Sequence, residues 1–76
     1  MADGFERMIE GRELRARREA LRLSRADVAA LTEVSEASLW SWESGNLPRR
    51  RSPKLDGYRA LLGRLEQQWG VRRMER

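Results

Sequence analysis

The stretch from residue 24 to residue 45, SRADVAALTEVSEASLWSWESG, constrains the fold most, because it reads as two short helices joined by a three-residue turn. Ser24 followed three residues later by Asp27 has the form of a capping box, which predicts a helix that begins there and runs to about Leu31. Residues 32–34 are the predicted turn. Ser35 is the second candidate N-cap, and Gly45 is the predicted end of the second helix.

Within the second helix, Leu39 and Trp42 are three residues apart, so both are predicted to point inward. The same spacing places Trp40 on the outer face, where a large aromatic side chain requires an explanation. Trp40 could contact sugar and phosphate, a second protomer or the basic loop that follows. We expect the last of these.

Apolar residues predict one helix on each side of this pair. Phe5, Met8 and Ile9, continued by Leu14, Arg18 and Leu21, trace a first helical face that is interrupted near Gly11. The pattern predicts either one helix or a helix with a loose first turn, with Gly11 as the expected irregular point. The loop at residues 46–53 contains a run of three arginines and a single large apolar side chain, Leu47, which is expected to return to the core. The last helix is predicted over residues 53–69 from the spacing of its apolar stripe, Leu55, Tyr58, Leu61, Leu62, Leu65 and Trp69.

A chain of 76 residues predicts one domain, spanning residues 1–76, with a small core. It contains no cysteine and no histidine, so neither a metal site nor a cofactor is expected. An enzyme is the weakest interpretation, because no nucleophile and base occur at a useful spacing. No apolar run approaches the roughly 20 residues that span a bilayer. We therefore expect a soluble, cytoplasmic protein without membrane contact.

The charges favour a polyanionic partner. The chain carries 16 Lys and Arg against 12 Asp and Glu, a net charge of +4. The cations lie on both sides of the central motif, and residues 26–48 contain none. That window carries four carboxylates, so any phosphate contact must come from its flanks. The four are Asp27, Glu33, Glu36 and Glu43.

Over residues 11–62 the chain resembles the Xre/Cro-like family of phage and bacterial repressors. The resemblance rests on the LWSWESG ending at residues 39–45 and on other positions in register: Gly11, Leu14, Arg18, Ser24, Val28, Ala29, Val34 and Ser35. It implies an all-α, lambda-repressor-like bundle of four or five helices, built around a helix-turn-helix. It further implies that the third helix enters the major groove of double-stranded DNA and that the protein binds as a homodimer.

Glu43 lies at a mostly buried helix end, where an unpaired carboxylate is costly. Arg18 is its expected partner, and the resemblance implies the same bridge between the first and third helices.

The first turn of a recognition helix and the residues one turn later face the bases. These positions hold Ser35, Glu36, Ala37 and Ser41. Serine can bond several base edges, Glu can accept from the cytosine amine, and Ala can contact a thymine methyl. Glu36 has a second interpretation, as a favourable charge at a helix N-terminus.

Several residues around the helix-turn-helix are candidates for contact with the DNA backbone. Arg25 occupies the position where the family often has a glutamine directed at the DNA backbone, so a phosphate contact is expected, and the alternative is a solvated surface cation. The loop arginines could reach phosphates or the minor groove, or could be a disordered basic loop. The full set of backbone and minor-groove candidates is Ser24, Arg25, Trp40, Asn46, Arg49, Arg50 and Arg51.

One departure from the family concerns Glu33, which falls where the turn often has glycine. If the turn requires a positive φ, glutamate there costs about 1 kcal/mol.

Two functions fit the sequence. The first is a sequence-specific DNA-binding regulator, a small repressor acting as a dimer on a palindromic operator. The alternative is a protein-interaction module that uses the acidic third helix and Trp40 against a partner protein.

Overall fold

The structure is a computed structural model that describes the backbone of residues 2–70 and the side chains of residues 4–70. These residues form four helices and no strand: α1 (Ala2–Ala20), α2 (Arg25–Leu31), α3 (Glu36–Glu43) and α4 (Pro53–Trp69). The bounds of α2, α3 and α4 agree with those expected from sequence. Residue 1 and residues 71–76 of the predicted domain lie outside the described part.

Helix α1 is one continuous helix through Gly11, which confirms the first of the two alternatives, and the irregularity expected at Gly11 is absent. Gly11 is instead a point of close approach. A Cβ atom there would lie 2.6 Å from the backbone oxygen of Trp42 and 3.0 Å from that of Glu43. Since no side chain separates them, the backbone of α1 packs directly against the end of α3.

The expectation that Phe5, Met8 and Ile9 share the core face of α1 is also wrong. Their side chains are 62%, 41% and 41% exposed. Phe5 is nine residues before Leu14, which at 100° per residue places the two on opposite sides of the helix. The core face begins at Gly11 and continues through three buried residues, Leu14, Arg18 and Leu21.

Helix α1 ends in a left-handed residue that the sequence did not predict. Arg22 has φ 61°, and the amide of Leu23 donates to the backbone oxygen of Arg18 at 3.2 Å. This is the hydrogen-bond pattern of a Schellman motif, in which glycine usually takes the left-handed position. The α1–α2 connection therefore contains a strained arginine.

The turn between α2 and α3 contains no such residue, which corrects the expectation for Glu33. Among the described residues other than glycine, only Arg22 has a positive φ. Thr32, the C-cap that follows α2, has extended backbone, and its hydroxyl donates to the Val28 oxygen at 2.8 Å. The Val34 amide in turn donates to that hydroxyl at 3.2 Å. Because the Thr32 side chain closes the turn, no left-handed residue is needed.

All four helices and the loop after α3 contribute to one core, and Leu47 of that loop is buried in it as expected. Ion pairs join α1 to α4: Arg17 binds Glu66 through two hydrogen bonds of 2.8 Å, and Arg59 binds Glu10. The buried apolar residues are Leu14, Leu21, Val28, Val34, Leu39, Trp42, Leu47, Leu55, Tyr58, Leu61 and Leu62. In the described range, no helix is both long and apolar enough to cross a bilayer.

Candidate nucleic-acid interface

Helix α3 has one side in the core and one side in solvent. Leu39 is fully buried and Trp42 is 8% exposed, so these two residues anchor the inner side. On the outer side Glu36, Ala37 and Trp40 are exposed, and Ser41 is half-buried. The predicted base-contacting face is therefore not consumed by packing within the protomer.

The two predicted N-cap serines hold the starts of α2 and α3. The Ser24 hydroxyl accepts from the Asp27 amide at 2.9 Å, and the Asp27 carboxylate accepts from the Ser24 amide at 2.9 Å, which completes the capping box. The Ser35 hydroxyl accepts from the Ser38 amide at 3.1 Å and donates to the Ser38 hydroxyl. Both serine residues are exposed.

The far end of α3 is held by the carboxylate of Glu43, which is bound from three other helices. Arg18 of α1 donates from Nε to Oε2 at 2.7 Å and from Nη2 to Oε1 at 2.9 Å. Tyr58 of α4 donates its hydroxyl to Oε2 at 2.7 Å, and Arg25 of α2 donates Nε to Oε1 at 3.2 Å. The Arg18–Glu43 pair expected from sequence is present, and it is one part of a larger cluster.

This cluster determines the ionisation of its members. Burial raises the pKa of Glu43, but the hydrogen bonds from Arg18 and Tyr58, together with the charges of Arg18 and Arg25, outweigh it and leave that pKa below its ordinary value. Burial, followed by the hydrogen bond to Glu43, raises the pKa of the Tyr58 hydroxyl. Glu43 is therefore ionised and Tyr58 neutral at pH 7. The bidentate bond to Glu43 raises the pKa of Arg18.

The side chain of Arg25 is partly bound within the protein and partly exposed to solvent. Its Nε is bound to Glu43, while the side chain as a whole is 31% exposed. The two interpretations of Arg25 from the sequence, a phosphate contact and a solvated cation, both missed its contact with the end of α3. Since Nε faces Glu43, the outer edge of the guanidinium fork is the part available to an anion.

The loop after α3 presents its arginines to solvent. Arg49, Arg50 and Arg51 are all exposed, and Arg51 forms a solvent-exposed pair with Asp56 at 3.2 Å. Asn46 is exposed as well, and its amide donates to the Ser41 oxygen at 2.9 Å, which ties the start of the loop to α3. The basic loop thus leaves directly from the end of the candidate face.

Two of the four carboxylates in the cation-free window are engaged in contacts within the protein. Glu43 is buried and paired with two arginines, and Asp27 completes a helix cap. Of the four carboxylates in the cation-free window, Glu36 alone lies on the exposed side of α3, while Glu33 is in the preceding turn. The outer side of α3 therefore carries one negative charge.

Two aromatic residues differ from expectation. Trp40 is 57% exposed, so the basic loop does not cover it and the expected packing beneath that loop is wrong. Tyr58 was predicted only as part of an apolar stripe, yet it supplies a hydrogen bond to Glu43. The Tyr58 hydroxyl could have indicated this contact, because a phenol hydroxyl that is buried in a core needs a hydrogen-bond partner.

The family profile described as "Helix-turn-helix domain" matches residues 11–67. The chain belongs to this family. The match confirms the resemblance to Xre/Cro-like proteins at the level of the helix-turn-helix domain, and it indicates a DNA-binding regulator. No curated protein and no solved structure is significantly similar to the chain.

Helix α3 is the second helix of the helix-turn-helix, and α2 packs against it. Within the described residues, no group of three or more acidic side chains is arranged to hold a metal ion.

Proposed function

We propose that this helix-turn-helix domain is a sequence-specific transcriptional regulator that binds double-stranded DNA. It acts in the cytoplasm as a small repressor and recognises a palindromic operator as a homodimer. The observation that carries the proposal is the outer side of α3, which is free of packing within the protomer. Arg25 is bound to Glu43 at the end of α3, and the basic loop, residues 46–53, follows that same end of the helix.

In this proposal the bases are read by Ser35, Glu36, Ala37 and Ser41. Serine hydroxyls can donate to or accept from base edges, and the Glu36 carboxylate can accept from the exocyclic amine of cytosine. The serine caps hold the helix starts rigidly, which supports a fixed register on the groove.

The DNA backbone is held by the flanks. The outer edge of the Arg25 guanidinium is the main phosphate contact, with the Ser24 hydroxyl beside it at the start of α2. Asn46 and the three loop arginines, Arg49, Arg50 and Arg51, extend the contact along the backbone or into the minor groove.

Two copies would place two α3 helices in successive major grooves. The half-site centres would then be about 34 Å apart, one helical turn of the duplex. This spacing follows from the groove geometry and requires a two-fold symmetric dimer.

The test is a selection of bound duplexes from a random DNA pool, followed by affinity measurements on the winner over a range of salt concentrations. We expect a palindromic winner and an affinity that falls steeply with salt. Arg50→Ala should weaken binding to all sequences similarly and lower the salt slope by about one. Arg15→Ala is the matched control, because Arg15 is exposed on α1 and pairs with Glu19. No enriched sequence, or a flat salt response, contradicts the proposal and favours the protein-interaction alternative.

A further inference from the structure

Trp40 is a large aromatic side chain at the centre of the outer side of α3. It is 57% exposed, and the helix spacing places it beside Glu36 and Ala37, one turn earlier. The local backbone is well held, because the Trp40 oxygen accepts from the Ser44 amide at 3.0 Å and from the Ser44 hydroxyl at 2.8 Å. The indole is therefore presented outward from an ordered helix.

The chemistry of this surface restricts what it can read. Helix α3 contains no arginine or lysine, so it lacks the fork that recognises guanine O6 and N7. Its outer side offers two apolar groups, Ala37 and Trp40, next to hydroxyls and one carboxylate. The apolar group that base pairs present in the major groove is the C5-methyl of thymine.

We propose that Trp40, together with Ala37, determines operator specificity by packing against thymine C5-methyl groups in the major groove. This inference rests on the proposed function, since it names thymine as the base that the outer side of α3 selects in the operator. It assigns Trp40 to base reading, whereas the sequence placed it among the backbone contacts. The operator half-site should contain a thymine that is recognised through its methyl group.

Replacement of thymine by deoxyuridine tests this directly, because it removes the methyl group and leaves base pairing unchanged. The selected operator is remade with one thymine at a time replaced, symmetrically in both half-sites, and the affinity of each duplex is measured. We expect one or two positions at which the wild-type protein binds the uracil duplex more weakly. The loss should be roughly fourfold per half-site, which corresponds to the burial of one methyl-sized group.

Trp40→Ala should bind the thymine and uracil duplexes equally at the position that Trp40 contacts, and a preference at a position that Ala37 contacts should remain. It should keep the wild-type salt slope, because no charge is removed. Trp69→Ala is the matched control, since Trp69 is 52% exposed at the end of α4 and should leave the thymine preference intact.

The outcomes separate this inference from the proposed function. A wild-type protein that binds its operator tightly but is indifferent to every thymine replacement overturns the role of Trp40 and leaves DNA binding intact. A Trp40→Ala variant that keeps the full preference for thymine has the same meaning. If no duplex is bound at all, the proposed function fails, and this inference fails with it.

Discussion

The Tyr58 hydroxyl donates a hydrogen bond of 2.7 Å to the Glu43 carboxylate. This buried bond connects α4 to the C-terminal end of α3, the helix whose outer side faces solvent. Tyr58 also stacks its ring on Trp42, with ring centroids 6.2 Å apart and planes inclined by 26°. The orientation of α3 is therefore set by both apolar and polar contacts from α4, in addition to the arginines of α1 and α2.

Tyr58→Phe removes the hydroxyl and keeps the ring stacking. A hydrogen bond to a charged acceptor contributes about 1.5–3 kcal/mol, so the free energy of unfolding should fall by that amount. Urea denaturation followed by tryptophan fluorescence measures it. An unchanged midpoint would show that the bond makes no net contribution.

Arg18→Ala removes the bidentate partner of Glu43 and should lower the free energy of unfolding by about 3–5 kcal/mol, because a buried carboxylate loses its main partner. The free energy of unfolding of Arg18→Lys should lie between those of the wild type and Arg18→Ala, since an ammonium cannot form the two parallel hydrogen bonds. Arg15→Ala is the control: its pair with Glu19 is about half exposed, and its loss should cost less than about 1 kcal/mol. An Arg18→Ala melting temperature equal to that of the wild type would refute this role.

Stability should depend on pH at both ends of the range. The pKa of Glu43 is lower in the folded protein than its ordinary value of 4.5, so its contribution is present at neutral pH and is lost as the pH falls through the lowered pKa. The pKa of Tyr58 is raised from its ordinary value of 10, so its contribution is complete below pH 10 and declines as the pH rises further. The chain has no histidine, the side chain whose ordinary pKa lies closest to neutral pH.

The single tyrosine makes the alkaline side measurable, because phenolate absorbance reports one group. We expect that absorbance to appear only as the protein unfolds. Ionisation near pH 10 in the folded protein would contradict the raised pKa. Glu43→Gln should reduce the dependence of the free energy of unfolding on pH at acid pH, and Tyr58→Phe should reduce that dependence at alkaline pH.

Arg22→Gly should raise the free energy of unfolding by about 1 kcal/mol, because Arg22 is the left-handed residue of the Schellman motif and is exposed. Glu33→Gly is the matched control. Glu33 has no positive φ, so glycine there gains nothing and adds freedom to the unfolded chain. Thermal denaturation of both variants checks the pair, and equal effects would argue against backbone strain at Arg22.

Gly11→Ala should lower the melting temperature, even though alanine favours a helix over glycine by about 1 kcal/mol. The new Cβ would lie 2.6 Å from the Trp42 backbone oxygen, so α1 and α3 would have to move apart. Gly63→Ala in α4 meets nothing within 4 Å and should raise the melting temperature. If both alanine variants are stabilised, the close approach at Gly11 is not required.

The local signals in the sequence were sufficient to predict the bounds of α2, α3 and α4. The capping box at Ser24 and the N-cap at Ser35 act over three residues, so they define helix starts without knowledge of the fold. The spacing of Leu39 and Trp42 likewise determined which side of α3 is buried, because helical periodicity is a local property.

The sequence alone determined a helix-turn-helix with an outward face on α3 and an Arg18–Glu43 pair, since cap chemistry, periodicity and the cost of a buried charge are visible along the chain. The tertiary structure decided what depends on contacts between distant residues. It brought Tyr58 and Arg25 onto Glu43, placed Gly11 against the end of α3, and left Trp40 uncovered. These arrangements follow from how four helices pack in three dimensions, and residue spacing along one helix does not specify its neighbours.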